Sequence, residues 1–331
     1  MIDQSTYPEL EPGTVPADEM TLRPRSNFVN ILVLRELESH AVFTTNGEDA
    51  DIATVALDAE DGQMDYAPGL MFMRKQTGSD RRFGKALQRD LGLFEDDEDE
   101  CTMQVNEMCQ DCVECILYGS AASSDEGSDV SITSRVMYDT AYSLRDASVV
   151  IDEKFQNAPG DDYAKSAEAT IREPDFFEPG TMFPSVVTLR DATPAELAFV
   201  LGITAKNKRY GATTSRLGRV NNRILGVYVG GEEGPANLEL TRETIARLQA
   251  DDATDYESAT DVVMAEALDP GRTAEHVSSA FEDSIDADRL DLQRVPQETV
   301  DSIVDVATGD DFAEVLAEQR DHSTAFLGQA E

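Results

Sequence analysis

The sequence predicts an α+β fold: a ferredoxin-like core, a cysteine-rich insertion and a C-terminal helical appendage. Three observations carry this reading. From Met182 to Gly231 the chain reads strand, helix, Gly-rich loop, strand, the second half of a ferredoxin-like unit, and a β-rich stretch precedes it. All four cysteines lie between Cys101 and Cys115. After Glu232 the apolar spacing becomes helical, with acidic outer faces.

In chain order, residues 1–26 are rich in Pro and Glu and predict an arm. Asn27 to Gly47 is β-branched and aromatic and ends in Asn-Gly, so it predicts a long strand or bent hairpin. Asp51 to Asp58 predicts a short strand. Residues 66–94 form a basic segment, read as a loop or short helix, and Glu95 to Glu100 (EDDEDE) as a solvated loop. Ser128 to Leu144 alternates as a strand. Asn157 to Pro184 predicts mostly loop, with a weak helix around Lys165. Met182 to Arg190 predicts a strand. A helix start follows, with Thr193 as N-cap, Pro194 at the first helical position and Glu196 closing a capping box. Leu197, Val200, Leu201 and Thr204 share one face of that helix. Gly218 to Gly231 predicts the last core strand. The expected division is thus an arm at 1–26, a core at 27–231 holding the basic segment (66–94) and the cysteine segment (101–119), and an acidic helical appendage at 232–331.

The chain has 331 residues, with 66 Asp plus Glu against 27 Lys plus Arg and a formal net charge of −39 at pH 7. Only Lys75, Lys85, Lys154, Lys165, Lys206 and Lys208 are lysines. Acid excess spread along the chain with so little Lys fits a surface solvated at high salt, where self-repulsion is screened. We therefore expect a halophilic source, and local charge informs about partners better than the total. No run approaches the roughly 20 apolar residues of a membrane span, and the N-terminus has neither the basic nor the apolar region of a secretory signal. A cytoplasmic protein without a membrane partner is expected.

Cys101, Cys109, Cys112 and Cys115 are spaced C-x7-C-x2-C-x2-C. Four thiolates this close suit a tetrahedral ion, structural Zn2+ above all. Iron–sulfur ligation is an alternative, although the C-P element of one ferredoxin pattern is missing. His40, His276 and His322 lie far from the cluster in sequence, which favours a closed structural site over a catalytic one.

Two basic islands stand out. Leu197 to Gly231 contains no Asp or Glu, where the chain's own acid frequency would place about seven. It carries Lys206, Lys208, Arg209, Arg216, Arg219 and Arg223. Gly211 and Gly218 let backbone approach an anion, Thr213, Thr214 and Ser215 offer hydroxyls, and Tyr210 can stack on a base. A basic helix C-terminus answering its dipole accounts for Lys206, Lys208 and Arg209 but less well for the arginines beyond. The loop lacks G-x-x-x-x-G-K-[ST], so it is no NTP-binding P-loop. Binding of a phosphate backbone is expected here. The second island, Tyr66 to Arg89, holds Arg74, Lys75, Arg81, Arg82, Lys85 and Arg89 among aromatics that serve equally for nucleic-acid contact or core packing. Arg23 and Arg25 are weaker candidates. No catalytic constellation emerges; Asp139 and Asp191 read as solvated or capping carboxylates.

CQDCVECILYGSA, ITSRVMYDTAYSLRD, FFEPGTMFPSVVTLRDATPAELAFVLG and KRYGATTSRLGRVNNRILGVYVG together resemble the backbone subunit of type I-D CRISPR effector complexes, from Phe28 to Gly231. The resemblance implies a modified RNA-recognition fold within the repeat-associated RNA-binding group. It implies a protein that polymerises as a helical filament of copies along guide CRISPR RNA, beside other effector-complex subunits, and presents the guide for pairing with target nucleic acid. It supports the six cations from Lys206 to Arg223 as guide contacts and the four cysteines as a structural metal site, and it gives no catalytic residue. A stand-alone zinc-stabilised nuclease and an RNA-free interaction scaffold are the competing functions.

Overall fold

The computed structural model describes residues 2–59, 62–94, 101–104, 107–121, 131–153, 155–157, 170–211 and 217–328. Its centre is strand β1 (Phe28–Leu37), which is buried along almost its whole length. Alternation splits its apolar side chains between two layers. Val29, Ile31 and Val33 join one core, Leu32 and Leu34 the other. A strand covered on both faces reads as a continuous apolar run, as FVNILVL does.

Further strands include β2 (Val55–Ala59), β3 (Gly62–Tyr66), β4 (Pro68–Met71), β5 (Val136–Tyr138), β6 (Ala141–Asp146), β7 (Met182–Arg190), β8 (Arg209–Tyr210), β9 (Gly218–Gly230) and β10 (Leu292–Arg294). The main sheet is antiparallel, in the order β8-β9-β1-β7-β5, with β10 also paired to β9. Ile31 stands opposite both Val187 and Val227. β2 and β3 form a separate hairpin, and β4 pairs with β6.

The longer helices and those that bear on the site are α1 (Met73–Asp90), α2 (Val113–Tyr118), α3 (Pro194–Lys206), α4 (Asn237–Gln249), α5 (Ala259–Val263), α6 (Pro270–Asp288), α7 (Gln297–Thr308) and α8 (Phe312–Leu327). The core around Val29 and Ile31 includes Leu197, Phe199 and Ile203 of α3, Val300 and Ile303 of α7, and Leu316 of α8. The opposite core includes Leu240 and Ile245 of α4 with Val277 and Phe281 of α6. The residues after 231 therefore supply most of one covering layer, which Leu57, Tyr66 and Leu144 complete, an edge strand and part of the other layer, rather than a projection from a finished core. The first residues also pack inward: Ile2 and Leu10 belong to the core, and the Val15 amide donates to the Ala192 carbonyl at 3.0 Å.

Several expected elements take a different form. The basic segment is an 18-residue helix. Within the expected strand Ser128–Leu144 the described residues form three strands, Ser131–Ile132, β5 and the start of β6. Asp139 lies between the last two, where its Oδ2 accepts from the first amide of α4, Asn237 N, at 3.0 Å. The capping box at Thr193 and Glu196 is present, with Pro194 at the first helical position. That helix is buried on nearly every side rather than on one face, being enclosed by the sheet, α1, α7 and α8. The segments around Lys165 and at 95–100 lie outside the described residues. No helix among the described residues is long and apolar enough to cross a membrane.

Candidate metal centre and candidate nucleic-acid interface

The cysteine segment folds back on itself because Gln110 adopts a left-handed backbone (φ 62°) and Cys112 caps α2. Successive amides then point at preceding sulfurs. Cys109 N donates to Cys101 Sγ (3.2 Å), Cys112 N to Cys109 Sγ (3.3 Å) and Cys115 N to Cys112 Sγ (3.4 Å). All four sulfurs lie within 4.8 Å of one another. A tetrahedral ion with bonds of about 2.3 Å places sulfurs about 3.8 Å apart, so the set fits one ion. The thiols Cys101, Cys112 and Cys115 are buried and Cys109 is half-buried.

The sulfurs cannot all be neutral thiols at ease. Contacts with Cys109, Cys112 and Cys115, joined by Lys85, hold the Cys101 thiol far below its ordinary range. The contact with Cys101 pushes Cys109 and Cys112 up. Cys115 is also held below its ordinary range, the contact with Cys101 opposing and those with Cys109, Cys112 and Lys85 lowering it. Without an ion, negative charge is thus concentrated on part of the set; a divalent ion lets all four ionise.

α1 forms the wall against this knuckle. Lys85, only 1% exposed, brings Nζ to 2.7 Å from Cys101 Sγ and 3.4 Å from Cys115 Sγ. It also pairs with the buried Glu114 at 2.6 Å. Arg81 Nε pairs with the other Glu114 oxygen, and Arg81 Nη2 donates to the Gly119 carbonyl at 2.7 Å. Lys85 is thus enclosed at the cysteines, where a phosphate strand cannot reach it, and Arg81 is engaged in holding α2. Both leave the expected set of RNA contacts.

Tyr210 leaves it as well. Its side chain is fully buried, its hydroxyl donates to Asp80 Oδ1 at 2.6 Å, and its ring lies under Arg35 at 5.3 Å, so no face is free to stack on a base. Asp80 also accepts from Tyr138 (2.8 Å) and Asn207 (2.8 Å). Arg35 donates to Asn222 Oδ1 at 3.0 Å. Burial, with the nearby Asp80 charge, pushes the Tyr210 phenol well above its ordinary range, so it remains the donor.

The other cations divide into groups. Arg209 and Arg219 are exposed and stand opposite each other where β8 meets β9. Lys208 and Arg223 are half-buried nearby. Gly211 and Gly218 are buried at the two ends of the intervening loop, and a Cβ on Gly218 would come within 2.2 Å of Ala41 Cβ. Arg216, Thr213, Thr214 and Ser215 lie outside the described residues. The carboxylate-free sequence window is not carboxylate-free in space: β1 and the residue after it place Glu36 against Arg223 (3.3 Å) and Glu38 against Arg219 (2.5 Å). Lys206 turns the other way and donates to the Thr308 carbonyl at the end of α7, at 3.0 Å.

Ser79 of α1 donates to the Arg209 carbonyl, which joins the two islands. Lys75, Ser79 and Arg82 recur at helical spacing, so Lys75 and the exposed Arg82 flank that contact on one face. Arg74 and Lys75 donate to Thr45 Oγ1 (2.5 Å) and the Thr44 carbonyl (2.6 Å), and Asp51, which accepts from Thr45 Oγ1 at 2.8 Å, is the carboxylate nearby. Arg23 and Arg25 are exposed near Asp191, at the opposite end of β1 from Arg219. Asp191 accepts from Arg25 N and Asn27 Nδ2, and so pins the N-terminal segment.

The family profile described as Csc2 Crispr matches residues 15–304. The chain belongs to the Csc2 CRISPR family. Among solved structures it is similar to the crystal structure of Thermofilum pendens Csc2, at 17% identity and a TM-score of 0.60, covering 92% of this chain and 90% of that one. It shares less with a chain of a Type IV-B CRISPR Complex (14% identity, TM-score 0.40, 59% of this chain and 89% of that one). A chain of a CRISPR RNA-guided surveillance complex gives 12% identity and a TM-score of 0.38, over 77% of this chain and 100% of that one. No curated protein sequence matched.

Sequence reading of this Csc2-family chain missed the Asp80 network and the Lys85–Glu114 pair. One signal for the second was available: the lysine nearest the cysteines in sequence, in a chain that holds only six.

Proposed function

We propose that this chain is the guide-RNA-binding backbone subunit of a type I-D CRISPR effector complex. Copies line up as a filament along CRISPR RNA, beside other subunits, and offer the guide to target nucleic acid. The observation that carries the reading is the basic strip on a protein of net charge −39, in a chain of the Csc2 family. Arg209, Arg219, Lys208 and Arg223 surround the ends of the 211–218 loop, and Arg74, Lys75 and Arg82 continue the strip along α1. A run of phosphates matches such a strip in sign. The strand order β9-β1-β7-β5 is 4-1-3-2 in chain order, and α1 and α3 both pack beneath it, which supports reading the core as ferredoxin-like. The acid excess elsewhere fits a cell interior rich in salt.

Cys101, Cys109, Cys112 and Cys115 hold Zn2+ in this reading. When bound, the ion supplies a cross-link with no open position for substrate. The residues around it do the rest: α2 is fixed to α1 through Glu114, with Arg81 and Lys85 as its partners.

The test is binding of repeat-derived single-stranded RNA to the full chain. Lys208→Glu with Arg209→Glu should weaken affinity roughly tenfold or more and lower the slope of log K against log salt by about 1.4, two contacts at about 0.7 each on a single strand. Unchanged affinity and slope would remove the strip as the guide track. Sequencing RNA that co-purifies from the native cells tests the partner itself, and RNA-free protein at high salt counts against the function.

A further inference from the structure

We propose that Lys85 is a metal-retention residue: a buried cation that holds the Cys101 and Cys115 thiolates to the bound ion and slows its release. This rests on the cysteine set being a metal centre and goes beyond it by assigning a residue that is not a ligand.

Four thiolates around a divalent ion carry two net negative charges. Burying that charge is costly unless donors and cations surround it. The three cysteine amides supply dipoles. Full charge at hydrogen-bond distance comes from Lys85, 2.7 Å from Cys101 Sγ and 3.4 Å from Cys115 Sγ. Its position is enforced from behind by Glu114 Oε2 at 2.6 Å, and Glu114 is itself held by Arg81. Arg81, Lys85 and Gln88 recur at helical spacing, and Gln88 Nε2 reaches 3.8 Å from Cys112 Sγ. One face of α1 thus carries three polar side chains to the knuckle.

The residue type fits the place. A compact ammonium can meet two sulfurs and a carboxylate at 2.6–3.4 Å in a site 1% exposed, whereas a planar guanidinium is larger and needs flat partners. Lys85 is one of only six lysines in the chain.

The experiment uses full-length protein loaded with zinc, and with cobalt as a spectroscopic probe. Release to a chromogenic chelator should be roughly ten- to a hundredfold faster in Lys85→Met than in the natural chain. The sulfur-to-cobalt charge-transfer band should move to longer wavelength, because thiolates without a neighbouring cation give up charge more easily. Equal release and an unmoved band overturn the role of Lys85 while leaving the centre standing. A natural chain that contains no metal overturns the centre itself, and this proposal with it. Where Lys85→Met gives no folded protein, Lys85→Gln decides by the same two readouts, since it keeps a donor for sulfur and removes only the charge.

Discussion

Asp80 draws together three side chains that are remote in the sequence: Tyr138, Asn207 and Tyr210. Each donates to one buried carboxylate, and the Arg35 guanidinium lies just beyond. A buried carboxylate is tolerated because its donors are satisfied together. Tyr210→Phe should therefore cost about 1–2 kcal/mol of unfolding free energy in urea with m unchanged, although it adds no strain and opens no large cavity. A loss near zero would show that Asn207 and Tyr138 suffice. None of this was legible in the sequence, where Tyr210 stood among cations and read as a stacking residue. Polar partners across a fold leave no periodic trace, and only burial separates a core tyrosine from a surface one.

At the scale of elements, α1 and α3 were unequally readable for a physical reason. α3 announces itself through its capping box and its dense apolar run. α1 buries Gln76, Ser79, Asp80, Lys85 and Gln88, so its inward face is polar and an apolar-periodicity test does not detect its full length. The face is polar because it serves three partners: the Asp80 network, the β8 backbone and the cysteine knuckle. The crossing of the two helices depends on Gly84, where an added Cβ would stand 2.9 Å from Ile203 Cδ1 and 3.0 Å from Phe199 Cζ. Gly84→Val should destabilise the chain by about 1–3 kcal/mol, seen as a lower urea midpoint. A neutral result would mean that the helices can separate without loss.

For the whole molecule, the covering of both sheet faces decides what can be removed. A chain ending at residue 231 would leave Leu32, Leu34, Val186 and Tyr228 without α4 and α6. It is expected to be insoluble, or to keep far-UV helix and strand signals while losing near-UV signals. A soluble, cooperatively folding 1–231 fragment would restore the view of residues 232–331 as an appendage.

The sequence by itself determined what is local in the chain. The cysteine spacing sets out a four-sulfur knuckle, Thr193-Pro194-Ala195-Glu196 starts a helix, and the β-branched and aromatic run after Asn27 makes a strand. Family membership rests on the same kind of contiguous pattern. Only the tertiary structure decided what each face meets. It placed Glu36 and Glu38 beside Arg223 and Arg219, turned Lys206 toward α7, and brought Lys85 to the sulfurs. Strand register and helix crossing join residues dozens of positions apart. Periodicity shows that a face is covered, but the identity of the cover comes from the fold.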